Sequence, residues 1–192
     1  MEDSMNTQAA PRSWSYEEFA QLPDDGNRYE IIAGELFVTP SPLTSHQVIV
    51  TRLTLLLAGF VEPHHLGTVI VGPVDLLFGP HDYLAPDLVF VARDRTGIVE
   101  PRGILGAPDL VVEVVSPSTA GRDRGMKRDR YAAFGVSHYW VVDADRKHVE
   151  VHRTSGGSDE PELVTDVLHW QPAAGGPTLD ISIPDLLGNL PS

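Results

Sequence analysis

The sequence predicts a single mixed α/β domain, and three observations support this prediction. The 192 residues are 42% apolar, which is enough for one domain of ordinary size with a full hydrophobic core. Helical and strand-like patterns alternate along the chain, with no internal repeat and no linker between domains. An aliphatic run at residues 110–115 is typical of a central buried strand. We therefore expect residues 14–192 to form one domain, preceded by a flexible N-terminus of residues 1–13.

The first half of the chain predicts a helix, a hairpin, a long helix and several strands. Ser15 and Glu18 fit a capping box, which begins a short helix. Strand-like residues lie on both sides of Ala33-Gly34 and predict a hairpin. Residues 45–61 have apolar side chains at helical spacing and form the longest helix candidate. Strands follow at residues 68–71 and 74–78 and around Asp87.

The second half predicts a helix between strands. After the strand at residues 110–115, Ser118 or Thr119 can cap a helix that runs to Phe134 and ends at Gly135. Strands are expected at residues 138–142, 148–152, 163–167 and 179–183. The expected architecture is a mixed β-sheet flanked by helices, with a hairpin added at the N-terminal end.

The charge of the chain is unevenly distributed. The net charge is −13, which argues against strong non-specific binding to nucleic acid. Residues 122–130 nevertheless contain five basic residues and two acidic ones, and no lysine or arginine follows Arg153. This pattern fits a basic helix that contacts DNA, and it fits a solvated helix face equally well.

Composition also limits location and chemistry. The absence of cysteine excludes disulfides and zinc sites with thiolate ligands. No apolar run approaches the length of a membrane span, so no membrane contact is expected. The N-terminus is polar and lacks the order of a signal peptide. The expected location is the cytoplasm.

Two acidic residues stand in apolar, strand-like contexts. Asp87 follows Pro86 at the start of one apolar segment, and Glu113 lies inside another. A buried charge needs a partner or a metal ion, so two such strands suggest a hard-cation site with oxygen ligands. The alternatives are a turn residue for Asp87 and a salt bridge from Glu113 to Lys127. Lys127 and Tyr131 are spaced to share one face of the predicted helix.

These segments belong to a set of motifs that resembles a known family. The motifs are Tyr29-Glu30-Ile31-Ile32-Ala33-Gly34-Glu35, Ser45-His46, Pro86-Asp87, Asp109 to Thr119, Arg122-Asp123-Arg124, Lys127, Tyr131, Gly135-Val136 and Tyr139-Trp140-Val141-Val142-Asp143. They resemble the Uma-two family, bacterial restriction-endonuclease-like proteins of the PD-(D/E)XK nuclease superfamily. The resemblance covers residues 14 to about 153.

The resemblance implies a restriction-endonuclease-like fold and Mg²⁺-dependent hydrolysis of DNA, with Mn²⁺ as an alternative metal and RNA or another phosphodiester as alternative substrates. Asp87 and Glu113 match the two acidic metal ligands, and the main-chain carbonyl of Val114 would be a third ligand. The superfamily pattern places a lysine two residues after the second acid. This chain has Val115 there, and Lys127 is the expected substitute.

Other residues also match the family pattern, but the resemblance defines their roles less closely. Glu30 matches an additional N-terminal acid; its alternative role is an ion pair with Arg28 or Arg52. His46 and Tyr131 match family positions expected near the substrate, although His46 also fits a helix start or the core. The predicted phosphate-binding residues are Arg122, Arg124 and Arg128.

Two expectations concern the protein as a whole. The alternative to a nuclease is a weakly active or inactive nucleic-acid-binding or regulatory domain that keeps the fold, which the valine at the lysine position and the acidic surface favour. A homodimer is expected because enzymes that cut both DNA strands often use two sites related by a two-fold axis. The apolar strands at residues 163–167 and 179–183 are expected to be exposed and would supply part of its interface.

Overall fold

The computed structural model of the protein describes residues 13–22, 27–39, 41–154 and 160–191. The predicted flexible N-terminus, residues 1–13, lies outside the described residues except for Ser13. The division of the chain into this segment and one domain stays a prediction. The side chain of Arg28 is likewise not described.

The described strands follow the predicted order closely. They are β1 (Arg28–Ile32), β2 (Glu35–Thr39), β3 (Gly67–Val71), β4 (Leu76–Gly79), β5 (Asp82–Leu84), β6 (Leu88–Ala92), β7 (Val99–Glu100), β8 (Gly103–Leu105), β9 (Leu110–Val114), β10 (His138–Asp143), β11 (His148–Arg153), β12 (Glu162–Val164), β13 (Val167–Trp170) and β14 (Leu179–Ser182).

Two of the helical segments, at residues 44–61 and 120–133, are longer than the others. The helices are α1 (Tyr16–Phe19), α2 (Thr44–Val61), α3 (Ala120–Arg122), α4 (Arg128–Ala133) and α5 (Ile183–Leu187), with a 3₁₀ segment at Arg93–Ile98. A π-helical segment, Asp123–Lys127, joins α3 to α4, so the predicted helix after Thr119 is continuous but not uniformly α-helical. The capping box of α1 is present.

The strands form two sheets and a ribbon. The first sheet has the order β2-β1-β5-β4-β8-β7, the second has the order β12-β11-β10-β9-β6-β3, and β13 pairs with β14. Parallel pairing of β9 with β10 and antiparallel pairing of β9 with β6 make the second sheet mixed. The predicted α/β class with mixed sheets and flanking helices is confirmed, with the strands divided between two sheets instead of one.

The second sheet is buried on both faces, and its central strand β9 shows why. Leu110, Val112 and Val114 pack into the core formed with α2, α5 and the ribbon. Val111 points to the opposite core, which includes residues of the first sheet and Tyr131. Because side chains alternate along a strand, Glu113 shares the face of Val111. The fold therefore directs this carboxylate towards the first sheet and the helix at residues 120–133.

Helix α2 is long and apolar enough, by length and composition alone, to cross a membrane. The same properties occur in core helices, and α2 buries Ile49, Leu53 and Leu57 against the second sheet. The expectation that no apolar run approaches the length of a membrane span refers to uninterrupted apolar residues, and polar residues such as His46 and Arg52 interrupt α2. The expectation of no membrane contact stays a prediction.

The C-terminal strands are less exposed than the sequence suggests. Leu168, Trp170 and Ile181 of the ribbon are buried in the core beside α2, and only Leu163 of β12 is strongly exposed. The expectation of two exposed apolar strands is wrong, because these side chains cover the second sheet. It therefore gives no support to a dimer interface.

Candidate active site

Strand pairing places Asp87 and Glu113 side by side. Leu88 of β6 pairs with Val112 of β9 in antiparallel register, so Asp87, one residue before β6, comes next to Glu113. The backbone N–H of Val114 donates to Oδ2 of Asp87 over 2.8 Å. Nε2 of His46, from the first turn of α2, lies 3.0 Å from the same oxygen. One oxygen of Asp87 is thus fixed by the sheet and by a histidine.

The Glu113 carboxylate is held by the helix that follows Thr119. Nζ of Lys127 lies 2.8 Å from Oε1 of Glu113, as expected from the sequence. The hydroxyl of Tyr131 donates to the same oxygen over 2.8 Å. Tyr131 is fully buried, which corrects the expectation that it contacts substrate; it orients Glu113 instead.

Lys127 is the centre of a buried group of charges, which we call the Lys127 cluster: Lys127, Glu30, Glu113 and Asp123. Its Nζ lies 2.7 Å from Oε1 of Glu30 and 3.6 Å from Oδ1 of Asp123, in addition to its contact with Glu113. All four residues are at most 4% exposed. Burial of charge at this depth is tolerated because each carboxylate has the ammonium as a partner.

Glu30 is fixed by several neighbours. Its Oε1 accepts the backbone N–H of Ala85 over 3.0 Å, and its Oε2 lies 3.4 Å from Nη2 of Arg122. The proposed ion pair with Arg52 is absent, since Arg52 donates to main-chain carbonyls at the end of α5. Among the described side chains, Glu30 therefore pairs with Lys127 and Arg122 beside a cavity.

The pKa values in the Lys127 cluster shift in different directions. Burial raises the pKa of Glu113 well above its ordinary range, because the lowering effect of Lys127 is smaller than burial and the surrounding carboxylates together. Burial also acts to raise the pKa of Glu30, but Lys127, Ala85 and Arg122 bring it below its ordinary value. Burial opposes the charged form of Lys127, yet the three carboxylates raise its pKa. The ammonium of Lys127 therefore acts on both glutamates, but at Glu113 it does not outweigh burial.

A cavity of about 320 Å³ opens beside these groups. Its walls include Asp87, Glu113, Val114 and Lys127, together with Glu30 and Asp123. Within the described part of the chain, no hydrogen bond is donated to Oδ1 of Asp87 or to Oε2 of Glu113. Two carboxylates with unengaged oxygens and a neighbouring main-chain carbonyl suit Mg²⁺ or Mn²⁺, which prefer oxygen ligands and keep several waters.

The other wall of the cavity is rich in hydroxyl groups and contains one guanidinium. Ser116 hydrogen-bonds to both Ser118 and Thr119 in the loop before α3. Arg122 also lines the cavity; its side chain is 13% exposed, and its guanidinium lies over the ring of Phe37. Of the three arginines expected to bind phosphate, Arg122 alone lines this cavity.

Arg124 and Arg128 point elsewhere. Nε of Arg124 donates to Glu150 over 2.7 Å, and its Nη2 lies 2.5 Å from Oδ2 of Asp143. Arg128 pairs with its neighbour Asp129 on the surface. Each of these two side chains is therefore engaged with a carboxylate outside the cavity, and their expected contact with substrate stays a prediction.

Arg124 lies among acids that have the spacing of a metal site. Ligand atoms of Asp143, His148 and Glu150 are all within 4.8 Å of one another. We call these three residues with Arg124 the Arg124 cluster. The guanidinium of Arg124 already neutralises both carboxylates, and His148 lies 3.0 Å from Glu150. This arrangement is that of a structural ion-pair network.

Sequence reasoning missed Asp123 and the π-helical segment that contains it. Asp123 is 3% exposed, lines the cavity and has a pKa raised chiefly by burial. Its i, i+4 spacing to Lys127 was the available signal, but the same spacing is common on solvated helices. Short π-helical segments often occur at functional sites.

Comparisons with known proteins agree with this geometry. Residues 16–182 match the model of the Uma2 family, described as "Putative restriction endonuclease". An uncharacterised protein of Synechocystis sp. is 31% identical over 152 residues, which are 76% of each chain. The crystal structure of "a putative nuclease belonging to DUF820" from Anabaena variabilis has a TM-score of 0.75 at 23% identity and covers 90% of this chain and 97% of its own. With its fold and most of its length matched, this chain belongs to the Uma2 family of the restriction-endonuclease-like superfamily.

Proposed function

We propose that the protein is a metal-dependent endonuclease that hydrolyses phosphodiester bonds of DNA. Asp87, Glu113 and the carbonyl of Val114 would hold Mg²⁺, with Mn²⁺ as an alternative. The observation that carries the proposal is that Asp87 and Glu113 each have one carboxylate oxygen that accepts no hydrogen bond from the described residues, beside one cavity that Lys127 also lines. Restriction-endonuclease-like family membership supports the same reaction class.

The residues around the carboxylates have distinct tasks. A bound divalent ion would lower the pKa of a water ligand and stabilise charge on the phosphoryl oxygens. Lys127 has three N–H donors and uses two in short contacts with Glu30 and Glu113. The third can orient the attacking water or bind a phosphoryl oxygen. Glu30 holds Lys127 in place, and His46 holds Asp87.

Arg122 is the proposed phosphate contact of the substrate. It lines the cavity, and its guanidinium can bind phosphate oxygens in a bidentate manner. Its contacts with Glu30 and Phe37 restrict its conformations before substrate arrives. Fixing the side chain in advance reduces the entropy lost on binding.

A second function is favoured by one observation. Lys127 is only 2% exposed and has carboxylate partners, as a purely structural lysine would. A domain that keeps the fold and binds nucleic acid without cleaving it would show the same contacts. A cytoplasmic location and a homodimer remain predictions under both functions.

The decisive experiment is a plasmid-nicking assay with Mg²⁺ or Mn²⁺, with EDTA as the control. We compare Glu113→Gln with Glu150→Gln, an equivalent change in the Arg124 cluster. Glu113→Gln should lower the rate by at least about 100-fold, since it removes a charge that the metal needs. Glu150→Gln should keep most of the activity. Metal-independent binding without cleavage by the wild type would favour the second function.

A further inference from the structure

We infer that the site accepts an unpaired DNA strand and not an intact duplex. The inference rests on the proposed function and specifies the form of its substrate. It depends on three properties of the described residues: the depth of the acidic groups, the pairing of the basic residues, and the neutral donors around the cavity.

The acidic groups beside the cavity are largely buried. The side chain of Asp87 is 12% exposed and Glu113 is 4% exposed. Both line the cavity of about 320 Å³, so a phosphate must enter this cavity to reach them. Duplex DNA is stiff over about 150 base pairs. A rigid duplex therefore needs local distortion to bring its backbone to carboxylates buried in this way, whereas a flexible single strand does not.

The helix at residues 120–133 offers no row of free positive charge. Each of its five basic residues has a carboxylate partner within 4.0 Å; the pairs are Arg122–Glu30, Arg124–Asp143, Lys127–Glu113, Arg128–Asp129 and Arg130–Asp82. Non-specific binding of duplex DNA depends on basic side chains that replace counterions along the phosphates. These five residues instead attach the helix to the rest of the protein or pair on its surface.

Neutral donors surround the cavity where cations would otherwise be expected. Five hydroxyl side chains line it: Thr39, Ser41, Ser116, Ser118 and Thr119. The hydroxyl of Thr39 already donates to Glu30, which leaves the four others as donors. Hydroxyls can hydrogen-bond to phosphate and sugar oxygens without adding charge. Together with Arg122 they suit a short stretch of one strand, with few phosphate contacts.

The test uses one labelled oligonucleotide in three forms with Mn²⁺: single-stranded, fully paired, and paired with a central bubble of mismatches. The single strand and the bubble should be cut at least about tenfold faster than the paired form, because unpairing is costly in the duplex. Equal or faster cutting of the paired form would overturn the inference. Cleavage of none of the three would instead refute the proposed nuclease activity.

A charge-addition variant provides a second readout. Ser118→Arg places a guanidinium at the exposed edge of the cavity, and Thr165→Arg adds the same charge at an exposed turn elsewhere. Single-strand binding by the wild type should depend weakly on salt. Ser118→Arg should steepen the log–log slope by about 0.7, and Thr165→Arg should not. A wild-type slope equivalent to many phosphate contacts, on the order of six or more, would contradict the inference.

Discussion

The Lys127 cluster and the Arg124 cluster both take their cation from the helix at residues 120–133. They differ in whether their carboxylate oxygens are free to bind a metal ion. In the Arg124 cluster, the guanidinium, His148 and the backbone N–H of Arg146 engage both oxygens of Asp143 and Oε1 of Glu150, and Glu150 does not line the cavity. Among the described residues, Asp87 and Glu113 each have one oxygen that accepts no hydrogen bond, and both line the cavity. Proximity of acids alone therefore does not identify a metal site; unengaged oxygens beside accessible space do.

The largest expected difference between the clusters is in stability. Lys127→Ala would remove the ion-pair partner of the buried carboxylates of Glu113 and Asp123 and leave Glu30 with Arg122 alone, and it should lower the free energy of unfolding by about 3–5 kcal/mol. Arg128→Ala removes an exposed pair from the same helix and should cost about 0–1 kcal/mol. Urea denaturation of both variants measures these losses of unfolding free energy. Similar small losses for both would show that the Lys127 cluster is not held together by its ammonium.

Metal binding should separate the clusters next. A divalent ion at 100 times its dissociation constant should stabilise the wild type by about 2.7 kcal/mol. Glu150→Gln should retain the stabilisation, and Glu113→Gln should lose most of it. Thermal denaturation with Mn²⁺ and with EDTA provides the comparison. If the Glu150→Gln variant alone loses the effect, the metal binds at the Arg124 cluster.

The smallest expected effect is an opposite response to pH. The pKa values of Asp143 and Glu150 are lowered because their hydrogen bonds and nearby positive charge outweigh the burial that would raise them. Their stabilisation is present above the unfolded pKa of about 4 and is lost as pH falls through the lower folded pKa. The pKa of Glu113 is raised mainly by burial, so its ionisation destabilises the fold as pH rises through the folded pKa.

This difference in sign can be measured in EDTA. Glu113→Gln should flatten the loss of unfolding free energy that occurs as pH rises from the ordinary carboxyl pKa of about 4 to the raised folded pKa of Glu113. Glu150→Gln should weaken the loss at acidic pH below about 4. The same pH profile for both variants would mean that the two clusters are electrostatically equivalent.

Local patterns made much of the fold predictable. The hairpin, helix α2 and strand β9 follow from turn residues and from periodicity that each segment carries itself. Glu113 could be selected because an acid inside an aliphatic strand needs a partner. The contact between Glu113 and Lys127 was also predictable, because the helical segment that carries Lys127 follows β9 after a short loop.

The remainder depends on pairings that are distant in the chain. The division into two sheets is fixed by contacts such as β4 with β8 and β1 with β5, which local patterns do not specify. The charge pattern predicted five basic residues on one helix but did not identify their acidic partners. Arg130 binds Asp82, 48 positions away, and Arg124 binds Glu150, 26 positions away. Surface charge inferred from sequence was therefore overestimated at this helix.

The π-helical segment Asp123–Lys127 changes the direction in which side chains project from this helix on either side of the segment. A π turn closes its hydrogen bonds one residue later than an α turn, and one residue corresponds to about 100° of rotation in an α-helix. Side chains before and after the segment are thus offset from the positions that a uniform helix would give them. Arg124 lies within the segment and reaches Glu150, whereas Lys127 at its end and Tyr131 four residues later both reach Glu113, so one helix contacts two separate groups of carboxylates.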